Sequence, residues 1–270
     1  MIAPVTSGAG RAARFLRAYV PLALIGCVSL LGIVPVLAPR VEALRRRPDL
    51  ATLSAAKLHA LMLAQPAVLM LLLTAVGVAL ARRAGLRSLV ADAARGDPVE
   101  MPSAARTWKL AAATVAAAVL VVVADMAFAR AFPAAFAGVP QATAVPLAAR
   151  VGALFYGGVV EELMLRLGVM TALVAAGRRL FLAASARRPA LVLWPAIALA
   201  AVPFGLLHLP PMAGIAPLTA PLAARTVLLN AALGLLFGYA YWRYALEYAM
   251  LSHALVHVVF GVAGALGPRL

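Results

Sequence analysis

Apolar residues in this chain come in long runs near the roughly 20 residues that an α-helix needs to cross the hydrocarbon core of a bilayer. Seven such runs are legible, at approximately 18–38, 57–81, 109–129, 147–176, 190–208, 222–242 and 245–266. Alanine and leucine dominate them, and no stretch shows the period-two alternation of a membrane barrel. The pattern predicts an all-α fold, a polytopic transmembrane helical bundle of about seven to eight helices. Trp108, Trp194 and Trp242 fall at segment ends, where indole rings anchor a helix at the interface. The run 147–176 is long for one crossing, which predicts a helix that is tilted, or broken near Gly157-Gly158. Residues 84–107 read as a polar connection exposed to water, with Asp92, Asp97, Pro98, Glu100 and Pro102. Residues 209–221 contain Pro210, Pro211, Pro217 and Pro221 and no charge, which predicts a loop that cannot continue a helix directly after His208.

Composition agrees with a membrane protein. Of 270 residues 65% are hydrophobic and 12% charged, where soluble domains carry about 25% charged residues. The net charge of +15 comes mostly from arginine in short runs between apolar stretches: Arg45-Arg46-Arg47, Arg82-Arg83, Arg178-Arg179 and Arg187-Arg188. These are loop charges that set topology and meet anionic headgroups of the lipid bilayer, not one basic face for nucleic acid, so nucleic acid is excluded as a partner. The amino-terminal tail, 1–17, is basic through Arg11, Arg14 and Arg17 and is expected on the cytoplasmic side. That orientation also places the basic residues of 82–109, the pairs near 178–188 and Arg243 inside, whereas Arg40, the Arg45–Arg47 triplet and Lys57 argue against it. The tail followed by an apolar run resembles a signal peptide, but the run is longer than the usual h-region and reads as a retained helix. A single cysteine, Cys27, allows no intrachain disulfide and sits mid-segment as a packing residue.

Within this greasy chain the stretch Val159-Val160-Glu161-Glu162-Leu163-Met164-Leu165-Arg166 carries three ionisable side chains. Each costs about 2.5–3.5 kcal/mol at the centre of a membrane helix, so they need partners. Glu162 and Arg166 are four apart, share a face and can pair. Glu161 is rotated about 100° away and is left free for reaction as a general base or acid. Candidate partners lie in later segments. His208 closes Phe204-Gly205-Leu206-Leu207-His208, with the phenyl ring on its own face. His253 and His257, four apart, share a face of an apolar helix and could equally serve to join helices by hydrogen bonds. The i,i+4 pair also suits zinc, and Glu161, His208, His253 and His257 make a chemically reasonable zinc set. The protease motif with glutamate directly after the first histidine is absent, since Ala254 stands there. His59 reads as interfacial. Asp125 has Arg130 as a candidate partner, and Glu247 has Arg243, both as structural pairs.

The three motifs, in this order on successive hydrophobic segments, resemble the CPBP family of intramembrane proteases, which includes the CAAX prenyl endopeptidases and bacteriocin-processing relatives. The family pattern is Glu-Glu-x-x-x-Arg, then Phe-x-x-x-His, then His-x-x-x-Asn or a similar residue. This chain supplies Glu161-Glu162-x-x-x-Arg166, Phe204-x-x-x-His208 and His253-x-x-x-His257, over about residues 147–262. It departs at His257, which titrates where Asn does not, and at Leu165-Arg166-Leu167, where the family commonly has Phe-Arg-Gly.

The resemblance implies a catalytic core over 147–266, preceded by amino-terminal membrane helices through 146. It implies an intramembrane endopeptidase of the glutamic type, in which Glu161 with His208 activates a water, His253 and His257 stabilise the oxyanion, and Glu162 with Arg166 holds the helix. No cofactor is implied by that course, with zinc as the alternative. The implied substrate is a membrane-anchored or lipid-modified protein or peptide. The Ala- and Arg-rich composition points to a bacterial inner membrane. Competing readings are an ion-coupled transporter, which usually shows internal repeats not found here, and an inactive scaffold.

Overall fold

The computed structural model of the chain describes residues 8–139, 146–181 and 187–266. Among them there are helices and no strands. Helices α1 (Gly8–Leu30) and α2 (Val34–Arg45) are joined by a 3₁₀ turn and make one membrane-length stretch, Ala9–Arg45. They are followed by α3 (Ala55–Ala84), a short α4 (Leu89–Arg95) and α5 (Ala104–Ala131). The next run starts as α6 (Leu147–Phe155), becomes π-helical over Tyr156–Glu161 and Leu163–Met170, and ends as α7 (Thr171–Leu180). Helices α8 (Ala190–Leu206), α9 (Ala220–Arg243) and α10 (Leu246–Leu266) complete the bundle. Six stretches are long and apolar enough to cross a bilayer. The π-helical run lies among α1, α3, α8, α9 and α10.

Helix starts follow from capping. The hydroxyls of Ser54, Ser88, Ser103 and Thr219 each accept a hydrogen bond from a backbone N–H in the first turn of α3, α4, α5 and α9, which satisfies a donor that the helix leaves open. Gly85 ends α3 with φ 63°, a left-handed conformation that glycine adopts without a Cβ penalty. Many large apolar side chains point outward, such as Val28, Leu72, Leu120 and Leu251 at 60–70% exposure, as lipid-facing helices require. The interior instead holds Phe204, Phe237, Tyr241 and the fully buried Arg166.

Four expectations change. The run 147–176 is not broken at Gly157-Gly158; it continues through them as π-helix, which absorbs its excess length. The polar connection at 84–107 contains α4, capped at its start by Ser88. Helical structure also resumes after His208, as the short turn Leu209–Ala213, because Pro210 and Pro211 occupy its opening positions, where no N–H is needed. Finally, Asp125 and Glu247 pair across the bundle rather than along their own helices. Asp125 takes Arg225 of α9, not Arg130. Glu247 accepts from Ser88 Oγ at 2.5 Å and from the Leu89 and Val90 amides at 2.9 and 3.1 Å, and so binds the start of α4 instead of Arg243.

Candidate active site

Three parts of the chain bring the predicted residues together: the π-helical run (Glu161, Glu162, Arg166), the end of α8 (Phe204, His208) and the middle of α10 (His253, His257). Glu162 is fully buried. Its Oε2 lies 3.3 Å from Arg166 Nε, and its Oε1 lies 2.9 Å from His253 Nδ1. The expected i,i+4 pair is thus present, but Glu162 serves two partners. The Arg166 guanidinium donates from Nη2 to the Gly234 carbonyl at 3.1 Å. It also lies over the rings of Phe204 and Phe237, at 4.6 and 5.3 Å from their centroids. Aromatic faces and a carboxylate together offset the desolvation of this charge.

The imidazoles are held as firmly. The His253 ring stacks on Phe237 at 4.4 Å on one side and on His257 at 5.1 Å on the other, with the edge of Phe204 at 5.5 Å. Its Nε2 is 3.9 Å from Glu161 Oε2, so Glu161 faces His253 directly. Glu161 and His208 share no direct hydrogen bond among the described residues. His208 instead places Nδ1 2.7 Å from the Phe204 carbonyl. A carbonyl only accepts, so Nδ1 carries the proton and a neutral His208 keeps its lone pair on Nε2. Phe204 packs edge-on to that ring at 4.9 Å, as the shared face predicted.

Gly157 gives the cluster its space. A Cβ there would stand 2.6 Å from His257 Nε2 and 2.9 Å from His253 Nε2. Both ring nitrogens therefore pack against the backbone at Gly157, an approach that any Cβ would block. Beside them lies a cavity of ≈ 350 Å³ whose lining includes His208, His257, Asn230, Met212, Asp125 and Arg225. His257 and Phe260 also border a second recess of ≈ 280 Å³ against α6. The sequence reading missed Arg225, although the cost argument that singled out Glu161 applies equally to an arginine in the apolar run 222–242. It also missed Phe237 and Gly234, which nothing in the sequence marks. Among the described residues no group of three or more His, Cys, Asp or Glu side chains is arranged to hold a metal ion. Glu162 engages Nδ1 of His253, which leaves its Nε2 as the ring nitrogen turned toward Glu161.

These features define a helical membrane protein with buried carboxylates and imidazoles grouped beside a cavity, the equipment of a hydrolase. Residues 142–259 match the family model described as type II CAAX prenyl endopeptidase, Rce1-like. Residues 142–259 thus carry a domain similar to this CPBP-type family of membrane peptide hydrolases, which act on a peptide or protein substrate, and the six long apolar stretches are those of a multi-pass integral membrane protein. The match leaves α1 to α5 outside it and covers the three motifs quoted from the sequence. No curated protein and no solved structure matches the chain.

Proposed function

We propose that the chain is a glutamic-type intramembrane endopeptidase that cleaves a membrane-anchored or lipid-modified protein or peptide without a metal. The observation that carries this reading is the pair of contacts made by His253, to Glu162 on one ring nitrogen and toward Glu161 on the other. Glu162, fixed by Arg166, orients the imidazole. Glu161, at 18% side-chain exposure, retains access to a water and acts as the base. His208 accepts a hydrogen bond from that water on Nε2 and aims it. Glu161 takes one proton as the hydroxide oxygen bonds to the carbonyl carbon. The oxyanion forms at the cavity wall beside the His257 ring, which donates to it. Glu161 then returns the proton to the amide nitrogen as the C–N bond breaks, leaving a carboxyl product and an amine product. Acid–base groups of this kind contribute about 100- to 10,000-fold in rate.

The test compares new protein amino termini in membranes of cells producing the wild type or Glu161→Gln. Products that depend on the wild type are expected to fall by about 100-fold or more with the variant. Unchanged processing by Glu161→Gln would remove the base from this scheme. Purified protein is expected to contain no stoichiometric zinc, and an ion lost on His253→Ala would overturn the metal-free course.

A further inference from the structure

Direct contacts gather one set of helix ends on a single face. Asp97 binds both Arg14 of α1 and Arg82 of α3, at 2.7 and 3.1 Å. The Leu246 amide of α10 donates to the Arg87 carbonyl, and Arg106 of α5 donates to the Arg243 carbonyl of α9. The Arg178 guanidinium of α7 lies against Gly85. Among the described residues this face gathers Arg11, Arg14 and Arg17 at the start of α1, Arg82, Arg83 and Arg87 between α3 and α5, Arg178 and Arg179 at the end of α7, Arg187 and Arg188 before α8, and Arg243 between α9 and α10. The opposite face is poorer. Its basic residues are Arg40, Arg45–Arg47, Lys57, Arg130 and Arg150, fewer than on the first face, and in the triplet Arg45 pairs with Glu42 and Arg47 with Asp49. The connection from α8 to α9, residues 207–219, has no Lys, Arg, Asp or Glu at all.

The cavity belongs to that second face. Its walls come from the far ends of the elements just named: Asp125 late in α5, Met212 and Ile215 beyond α8, Arg225 early in α9, and Phe260 and Ala263 late in α10. Basic connections stay in the cytoplasm during insertion and lie against anionic lipid there.

We infer that the cavity opens away from the cytoplasm, so that the enzyme takes its substrate from the exoplasmic half of the membrane. The substrate class is then an exported polypeptide tethered at the outer leaflet, or the outer end of a membrane segment, rather than a lipid-modified tail in the cytoplasm. The cavity suits such a chain. Most of its lining is apolar, and Arg225, although paired through Nε with Asp125, keeps two further guanidinium nitrogens for a polar backbone group or a carboxylate. The choice of substrate rests on the hydrolase reading above; the orientation does not.

The experiment starts from Cys27→Ser, which removes the single cysteine. Leu218→Cys and Val99→Cys then place one thiol on each face, at positions 42% and 41% exposed. In intact, right-side-out spheroplasts a membrane-impermeant maleimide is expected to label Leu218→Cys as fully as after lysis, and Val99→Cys only after lysis. A phosphatase that folds only outside the cytoplasm is expected to be active when fused after Leu270. Labelling of Val99→Cys in intact spheroplasts, or an inactive fusion, overturns the orientation. In a third arm, Ile215→Cys at the cavity wall is labelled from outside and each preparation is compared with itself unlabelled. Loss of substrate processing on labelling supports entry through this cavity. Continued processing overturns that entry route, provided that Glu161→Gln abolishes processing. If Glu161→Gln leaves processing intact, the hydrolase scheme fails and the labelling pattern still decides the orientation.

Discussion

At the scale of single residues, Arg166 is the side chain on which the site depends most. It is 1% exposed, yet it has a carboxylate, a carbonyl and two aromatic faces around it. Removing one member of such a pair strands the other. Arg166→Ala is therefore expected to cost about 3–5 kcal/mol, read as a large drop in the unfolding temperature in detergent. Arg166→Lys should recover little of this, because a compact ammonium cannot lie flat between Phe204 and Phe237. The double variant Glu162→Gln, Arg166→Met should be more stable than Arg166→Ala alone, since no unpaired charge is left; equal instability would mean that packing, not charge, dominates. Gly157→Ala asks a different question. The added methyl would come within 3 Å of Nε2 of two imidazoles that stacking and Glu162 hold in place, so the rings must shift. A displacement of about 1 Å can cost about 100-fold in rate, and the expected result is that loss of processing together with a lowered unfolding temperature in detergent.

At the scale of elements, α4 and α10 form a unit. Glu247 stands six positions before His253 and holds the first amides of α4. Glu247→Ala leaves Ser88 and two backbone donors without their acceptor, at an expected cost of about 1–3 kcal/mol for a buried group left unsatisfied. Hydrogen exchange should quicken first over 88–96, and processing should weaken as the base of α10 loosens; unchanged protection of α4 would show that the clamp is dispensable. This clamp was not legible in the sequence, because Ser88 and Glu247 are far apart and each has an innocuous local explanation. The spans α3, α5, α9 and α10 were legible, since run length and apolarity alone define a membrane helix. So was the Glu162–Arg166 pair, which follows from helical spacing. What spacing could not supply was the second partner of Glu162, on another helix, nor the replacement of Arg130 by Arg225 as the partner of Asp125. Contacts between helices depend on rotation about each axis, and a uniformly apolar helix leaves that rotation unmarked.

At the scale of the whole molecule, polarity is arranged in two directions. Radially, charge sits inside and aliphatic side chains outside, so that Val28, Leu120 and Leu251 face lipid while Glu162 and Arg166 face each other. Along the membrane normal, arginine gathers at one end and the cavity at the other. The two gradients serve different tasks: the first lets a charged site exist within hydrocarbon, and the second selects which compartment supplies its substrate. The π-helical run is where they meet, and it carries a consequence for chain length. A π-helix spends an extra residue per turn relative to an α-helix. Deleting one residue between Tyr156 and Met170 would let a turn rewind as ordinary α-helix with α6 and α7 still in phase, while the side chains inside the rewound stretch change their angular position. Every reactive side chain would survive such a deletion, but Glu162 and Arg166 could no longer meet their partners on α10 and α9 while α6 and α7 kept theirs. Substitutions in this stretch can therefore be graded by chemistry, whereas a one-residue insertion or deletion that changes no functional side chain would be expected to destroy the site.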